Sequence, residues 1–224
     1  MRLFTYCIPV DDGAAPNPFH GVCTLAICKP KIRSVAQIDD WVVGLGSKNV
    51  AGIDYSGKVV YAMKVTDKMT LEEYDLHCKQ QLPEKIPDIH HPEYTRRVGD
   101  CIYDFTKTGN NRLRPSVHNQ YNIDTDLGGK NVLLSDHFYY FGEKAIPLDD
   151  SLRAIIHQGQ GHKSNANQNY VQDFVLWIES VNHPMNTLLG QPQLILDFSN
   201  KKCLSSCAAI REEEGIKDVD CGVC

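Results

Sequence analysis

The chain has 224 residues, of which 42% are hydrophobic; that is enough for one large domain with a core and excludes a disordered chain. Its net charge of −5 argues against a broad, nonspecific DNA-binding surface. No apolar run approaches the roughly 18 residues of a membrane span. Nothing after Met1 reads as a signal peptide, so a soluble, cytoplasmic protein is expected. In that compartment nine cysteines are thiols or metal ligands rather than disulfides.

Residues Leu3 to Val10 read as a first strand, and Val22 to Cys28 as a second. Between them Pro16 and Pro18 hold the chain extended, which makes Asn17 and His20 either lid residues over a site or parts of a rigid crossing. Cys7, Cys23, Cys28 and Cys101 lie in apolar runs, where a thiol acts as a small hydrophobe. Trp41-Val42-Val43-Gly44-Leu45-Gly46 and Lys58 to Val65 predict two more strands joined by a hairpin-like return. Thr70 and Glu73 form a capping box that starts a helix, with Leu71, Tyr74 and Cys78 on one face and Pro83 as its stop. His90, His91 and Glu93 follow on a proline loop without the i, i+4 spacing of a helical zinc site. A short strand is expected over Cys101 to Phe105.

The polar stretch Thr106 to Lys130 reads as a long functional or mobile loop. An apolar strand, Asn131 to Ser135, precedes Asp136-His137 and the aromatic block Phe138 to Phe141. That block admits two readings. It offers stacking surfaces such as Tyr139 for a base, or it alternates, with Phe138 and Tyr140 on one side and Tyr139 and Phe141 on the other. Asp149 caps a helix to about His157, whose end releases Gln158-Gly159-Gln160-Gly161-His162-Lys163. Gly159 and Gly161 would let backbone amides approach an oxyanion, while His162 and Lys163 add charge. This loop and the aromatic block are expected to form one wall of a pocket. A second helix, Asn167 to Val181, carries Val171, Phe174, Val175 and Ile178 on one stripe, and Leu194 to Leu196 closes the domain as a last strand.

Charge divides the chain. To Lys130, 16 Lys and Arg balance 16 Asp and Glu; beyond it, 7 face 12. Lys29, Lys31 and Arg33 make one basic cluster, and Arg112 and Arg114 belong to another. The domain is taken as residues 1 to 200, followed by a Cys-rich tail, 201 to 224. In that tail Cys203, Cys207, Cys221 and Cys224 supply two thiol pairs for a structural zinc, or remain free thiols. No other cofactor is expected.

Several stretches together resemble the second of the nucleotide modification associated domain families of bacteria and phages. They are APNPFHGVCTLAICKPKIR, WVVGLGS, VVYAMKV, HPEYTRRVGDCIYDF, NVLLSDHFYYFG and HQGQGHKS. The resemblance runs from about Leu3 to Val181 and implies handling of a modified nucleotide or DNA base. It carries over the polar positions Asn17, His20, Lys29, Lys31, Arg97, Asp100, His118, Asn119, His137, His162 and Lys163. Gly159, Gln160, Gly161 and Tyr139 join them as ligand contacts from the reading above.

The expected fold is α+β, with a bent, mostly antiparallel sheet or a partial PUA-like barrel and flanking helices. The expected function is recognition of a modified nucleotide or base, with DNA or a nucleotide as partner. The alternative is an enzyme on such a base, with His162 or His137 as general acid/base. A third reading is an interaction protein working through its tail.

Overall fold

The structure, a computed structural model, describes residues 1–48, 52–157 and 161–199. Numbered along the chain, the larger sheet contains β1 (Leu3–Ile8), β3 (Trp41–Gly46), β4 (Lys58–Lys64) and β7 (Phe138–Tyr140) in the order β1-β3-β4-β7, with β8 (Ile146–Pro147) also paired to β4. β1 and β3 run parallel; every other pairing is antiparallel. A smaller antiparallel sheet has the order β2 (Cys23–Leu25), β6 (Asn131–Ser135), β5 (Asp67–Thr70). The fold is therefore α+β and mostly antiparallel, as expected. Both sheets stay open, so the barrel alternative is not the one adopted.

β3 and β4 are continuous apolar runs because both of their faces are covered. On one face Phe4, Tyr6, Val42, Met63, Phe138 and Tyr140 pack with Leu25 and Leu133 of the small sheet and Ile32 of α1 (Pro30–Val35). On the other, Leu3, Val43, Ala62, Tyr139 and Phe141 meet Val171, Phe174 and Ile178 of α5 (Val171–Ser180). The aromatic block thus alternates with the strand period, and each buried ring contributes on the order of 1.5–3 kcal/mol. The small sheet's outer side is closed by Leu71, Tyr74 and Cys78 of α2 (Leu71–Gln81). The capping box is formed: Thr70 Oγ1 accepts from the Glu73 amide at 3.2 Å, and Glu73 accepts from the Thr70 amide at 2.7 Å.

Elsewhere the chain departs from the sequence reading. Between Cys101 and Phe105 it makes a single bridge, Tyr103 to Leu113, because its polar groups turn inward to Arg114. The stretch read as a loop from Thr106 to Lys130 winds into short turns and α4 (Ile123–Gly128). Asp149 caps as expected, but a 3-10 helix, Asp150–Ile155, follows it. Likewise Asn165–Tyr170 is 3-10 before α5 begins. Leu194 forms no strand and hangs its amide on the Asp11 carbonyl.

Candidate active site

Beyond β2 the chain leaves the small sheet through Ala26 and Ile27 and reaches two successive residues with left-handed backbone, Cys28 (φ 56°) and Lys29 (φ 39°). Each such residue without glycine costs on the order of 1–3 kcal/mol and persists only where surrounding contacts enforce it. Those contacts are visible. Pro30 follows with its preset φ and starts α1. From α1, fully buried Arg33 reaches back, its Nε donating to the Cys28 carbonyl at 2.7 Å and Nη1 to the Asn131 carbonyl at 2.8 Å. Nη2 donates to the Asp126 carbonyl. Gly129 makes room for this: a Cβ there would lie 2.6 Å from Arg33 Nη1.

Asp126 of α4 stands over the bend with no exposed surface. Its Oδ1 accepts from the Cys28 amide at 2.9 Å. Its Oδ2 accepts from Tyr103 Oη at 2.9 Å and pairs with His118 Nδ1 at 2.6 Å. The other imidazole nitrogen, Nε2, lies 3.5 Å from Cys28 Sγ. Burial pushes the Asp126 carboxyl up, yet the His118 charge and hydrogen bond, the nearby Arg33 and the Cys28 amide outweigh it, and the carboxyl is held below the usual range. An ionised carboxylate only accepts, so Nδ1 carries a proton. Nε2 then faces the thiol as acceptor, or as imidazolium beside a thiolate. Thiol, imidazole and carboxylate stand in the order that the relay of a cysteine nucleophile requires.

The same three groups come close enough to suggest a metal. The donor set fits one poorly. Both Asp126 oxygens are engaged by N–H and O–H donors, and His118 turns Nδ1 to Asp126, so among the described residues Cys28 Sγ and His118 Nε2 are the two donors of this group directed at each other. A catalytic zinc needs three protein ligands. Cys203, Cys207, Cys221 and Cys224 lie outside the described residues.

Of the residues expected to hold ligand, two belong to a different buried cluster. Lys85 Nζ, with no exposed surface, reaches Asn17 Oδ1 (2.7 Å), the Asn17 and Val22 carbonyls (2.9 and 2.7 Å) and Thr24 Oγ1 (3.0 Å). Asp100 accepts from the same Thr24 hydroxyl at 2.6 Å and from Tyr74 Oη at 2.7 Å. Asn17 and Asp100 thus turn their polar atoms inward.

The others are dispersed. His20 is half-buried with left-handed backbone, and burial lowers its pKa. Lys29 lies over the Tyr6 ring at 4.7 Å, Lys31 is exposed in the first turn of α1, and Arg97, in the short helix α3 (Tyr94–Arg97), stacks on Tyr94 and Phe198. Asn119 caps the turn Gln120–Asn122. His137 stands edge-on to Trp41 at 5.3 Å, its pKa lowered first by burial and then by Lys64; Tyr139 beside it is 4% exposed. Gly159 and Gln160 lie outside the described residues; Gly161 has φ 90°. His162 packs on Phe4 at 5.7 Å, and Lys163 bonds to Thr5 through its backbone and to the Ala154 carbonyl through Nζ. These two pair outside β1 and the aromatic block lies at the β7 edge, four strand spacings or about 19 Å apart. The expected single wall is divided between two edges.

Only His118 of the relay was singled out by the sequence. Cys28 read as a small apolar filler and Asp126 as part of a loop. A signal that could have drawn attention to Cys28 was Cys-Lys-Pro, a cysteine at a strand exit just before a helix start.

Among the described residues no helix is long and apolar enough to cross a membrane. The family model described as nucleotide modification associated domain 2 matches residues 1–202. No curated protein and no solved structure matches the chain.

Proposed function

Because the chain belongs to the nucleotide modification associated domain 2 family, we propose that it acts chemically on a modified base or nucleotide, with Cys28 as nucleophile. The observation that supports this reading is the Sγ–Nε2 and Nδ1–Oδ2 relay through His118 to Asp126. His118 takes the thiol proton as Sγ bonds to an acyl carbon of the nucleotide's substituent, and returns that proton to the leaving group, so that a thioester forms. Water, deprotonated by His118, then cleaves the S–C bond and restores the thiol. Asp126 holds the tautomer and stabilises the imidazolium. His162 and His137, the catalytic candidates of the sequence, stand apart from this relay: one packs on Phe4, the other on Trp41. In bacteria and phages such an activity would serve a system that makes, reads or restricts modified DNA.

Recognition of the modified nucleotide without turnover is the second reading. It is favoured by burial, since Cys28 and His118 are each 6% exposed.

Iodoacetamide labelling with peptide mapping separates the two. Cys7 is the internal control: it is more exposed than Cys28, and burial raises its pKa. In the enzyme reading Cys28 is alkylated faster than Cys7 at neutral pH, and His118→Ala abolishes the difference. Mass spectrometry of modified nucleotides incubated with the protein then shows a product that Cys28→Ser does not form. A Cys28 slower than Cys7, with ligands bound but unconsumed, leaves recognition as the function.

A further inference from the structure

We infer that a second site, for a nucleoside monophosphate, occupies the cleft at the carboxyl ends of the parallel strands β1 and β3. The cleft has a volume of about 630 Å³, within the range of small-ligand sites. Cys7 and Gly46, at the ends of the two strands, form its floor. Carboxyl ends of parallel strands are where open α/β sheets take ligands, because the loops diverge there.

The floor is closely built. The turn leading into β4 crosses directly over Gly46, where a Cβ would lie 2.6 Å from the Tyr55 carbonyl oxygen, so only glycine lets that loop approach. One side of the cleft is apolar, from Pro147, Leu148 and Ile156. The rim carries Lys48, Lys58 and Arg153, against Asp150 alone among the lining residues. Asp150 is held by Arg153 at 2.8 Å, and the Lys58 ammonium lies 5.4 Å from the centre of the Tyr55 ring, which leaves Lys48 and Lys58 as the lining cations without a carboxylate among the lining residues. Asp54 stands near them outside the lining, its carboxylate accepting from the Ser56 amide at 2.8 Å. In a chain of net charge −5 this is a local inversion of sign.

Lys58 is the cross-strand partner of Pro147, so the apolar strip runs directly up to the cationic rim, an arrangement complementary to a molecule with a flat ring at one end and a phosphate at the other. The enclosed volume suits one nucleotide and is too small for a duplex. The lining includes no member of the Cys28–His118–Asp126 relay, so this site does not depend on the chemistry proposed for it.

Isothermal titration of the full chain tests this with four probes: a deoxynucleoside 5′-monophosphate, the matching nucleoside, inorganic phosphate and a short DNA duplex. The monophosphate is expected to bind at least about tenfold more tightly than the nucleoside or phosphate, since each of those fills half the cleft. Lys48→Ala with Lys58→Ala should cost about tenfold in affinity while circular dichroism and the Cys28 alkylation rate stay unchanged. Equal binding of monophosphate and nucleoside, or full affinity in the double variant, overturns the inference. So does binding of the duplex alone. A parallel titration of Cys28→Ser locates the ligand: loss of monophosphate binding there moves it to the relay and refutes the cleft. An inert Cys28 with intact cleft binding leaves this site standing while removing the proposed catalysis.

Discussion

Of the buried polar clusters among the described residues, the one around Lys85 and the one around Cys28 are built by opposite logic. Lys85 places one charge among neutral acceptors, with Asp100 near by behind the Thr24 hydroxyl. The ammonium ties the loop at Asn17, the edge of β2 and the turn at Pro83 together, and the Thr24 hydroxyl links it to Asp100 and Tyr74. The Cys28 cluster instead strings a thiol, an imidazole and a carboxylate in series, on a backbone bend that costs energy to hold. A satisfied buried charge by itself is therefore no guide to function. The informative signs are a chain of titratable groups and strain that the surroundings enforce.

Removing the Lys85 ammonium should have the largest effect. Lys85→Met leaves Asn17, Val22 and Thr24 acceptors unmet beside buried Asp100, and should lower stability by about 3–5 kcal/mol in urea denaturation. A loss below about 1 kcal/mol would show that the cluster is not a strut.

A third buried group, Asp11, adds a pH dependence of the same sign as that of Asp100, whose carboxyl burial also raises. Burial pushes its carboxyl up to about 7, against the lowering effect of the Tyr140 hydroxyl at 2.6 Å. The folded state then binds a proton that the unfolded state has released, so stability should fall as pH rises from about 4 to about 7 and level off above. The limit is a few kcal/mol. Asp11→Asn should reduce that slope and leave the shares of Asp12 and Asp100, whose carboxyls burial also raises.

Gly129→Ala should cost about 1–3 kcal/mol by pressing a methyl against the Arg33 guanidinium, and should slow Cys28 alkylation with it. Cys28→Ser, by contrast, should change stability by less than about 1.5 kcal/mol while ending turnover. Stability lost together with reactivity in the first, and reactivity alone in the second, is the pattern that separates support from chemistry. Thr70→Ala, in neither cluster, should cost about 1 kcal/mol through the lost cap.

Much of the framework was legible because it rests on local rules. The Thr70–Glu73 box, the apolar runs of β3, β4 and β6, and the two-sided alternation of Phe138 to Phe141 each follow from a short-range period or cap. The relay was not legible, because its parts are brought together by tertiary contacts. Cys28 and Asp126 are 98 positions apart and meet through an amide hydrogen bond. The left-handed bend at Cys28-Lys29 carries no glycine or asparagine to announce it. The separation of His162 and Lys163 from the aromatic block required the strand order, which no local pattern encodes.

The larger sheet is packed on both faces, so a visitor meets this domain only at its rims. The residues that would discriminate between ligands therefore sit in connecting segments whose replacement leaves the layered interior untouched. A lineage could retune what such a domain accepts by rewriting a few turns, with the scaffold inherited whole.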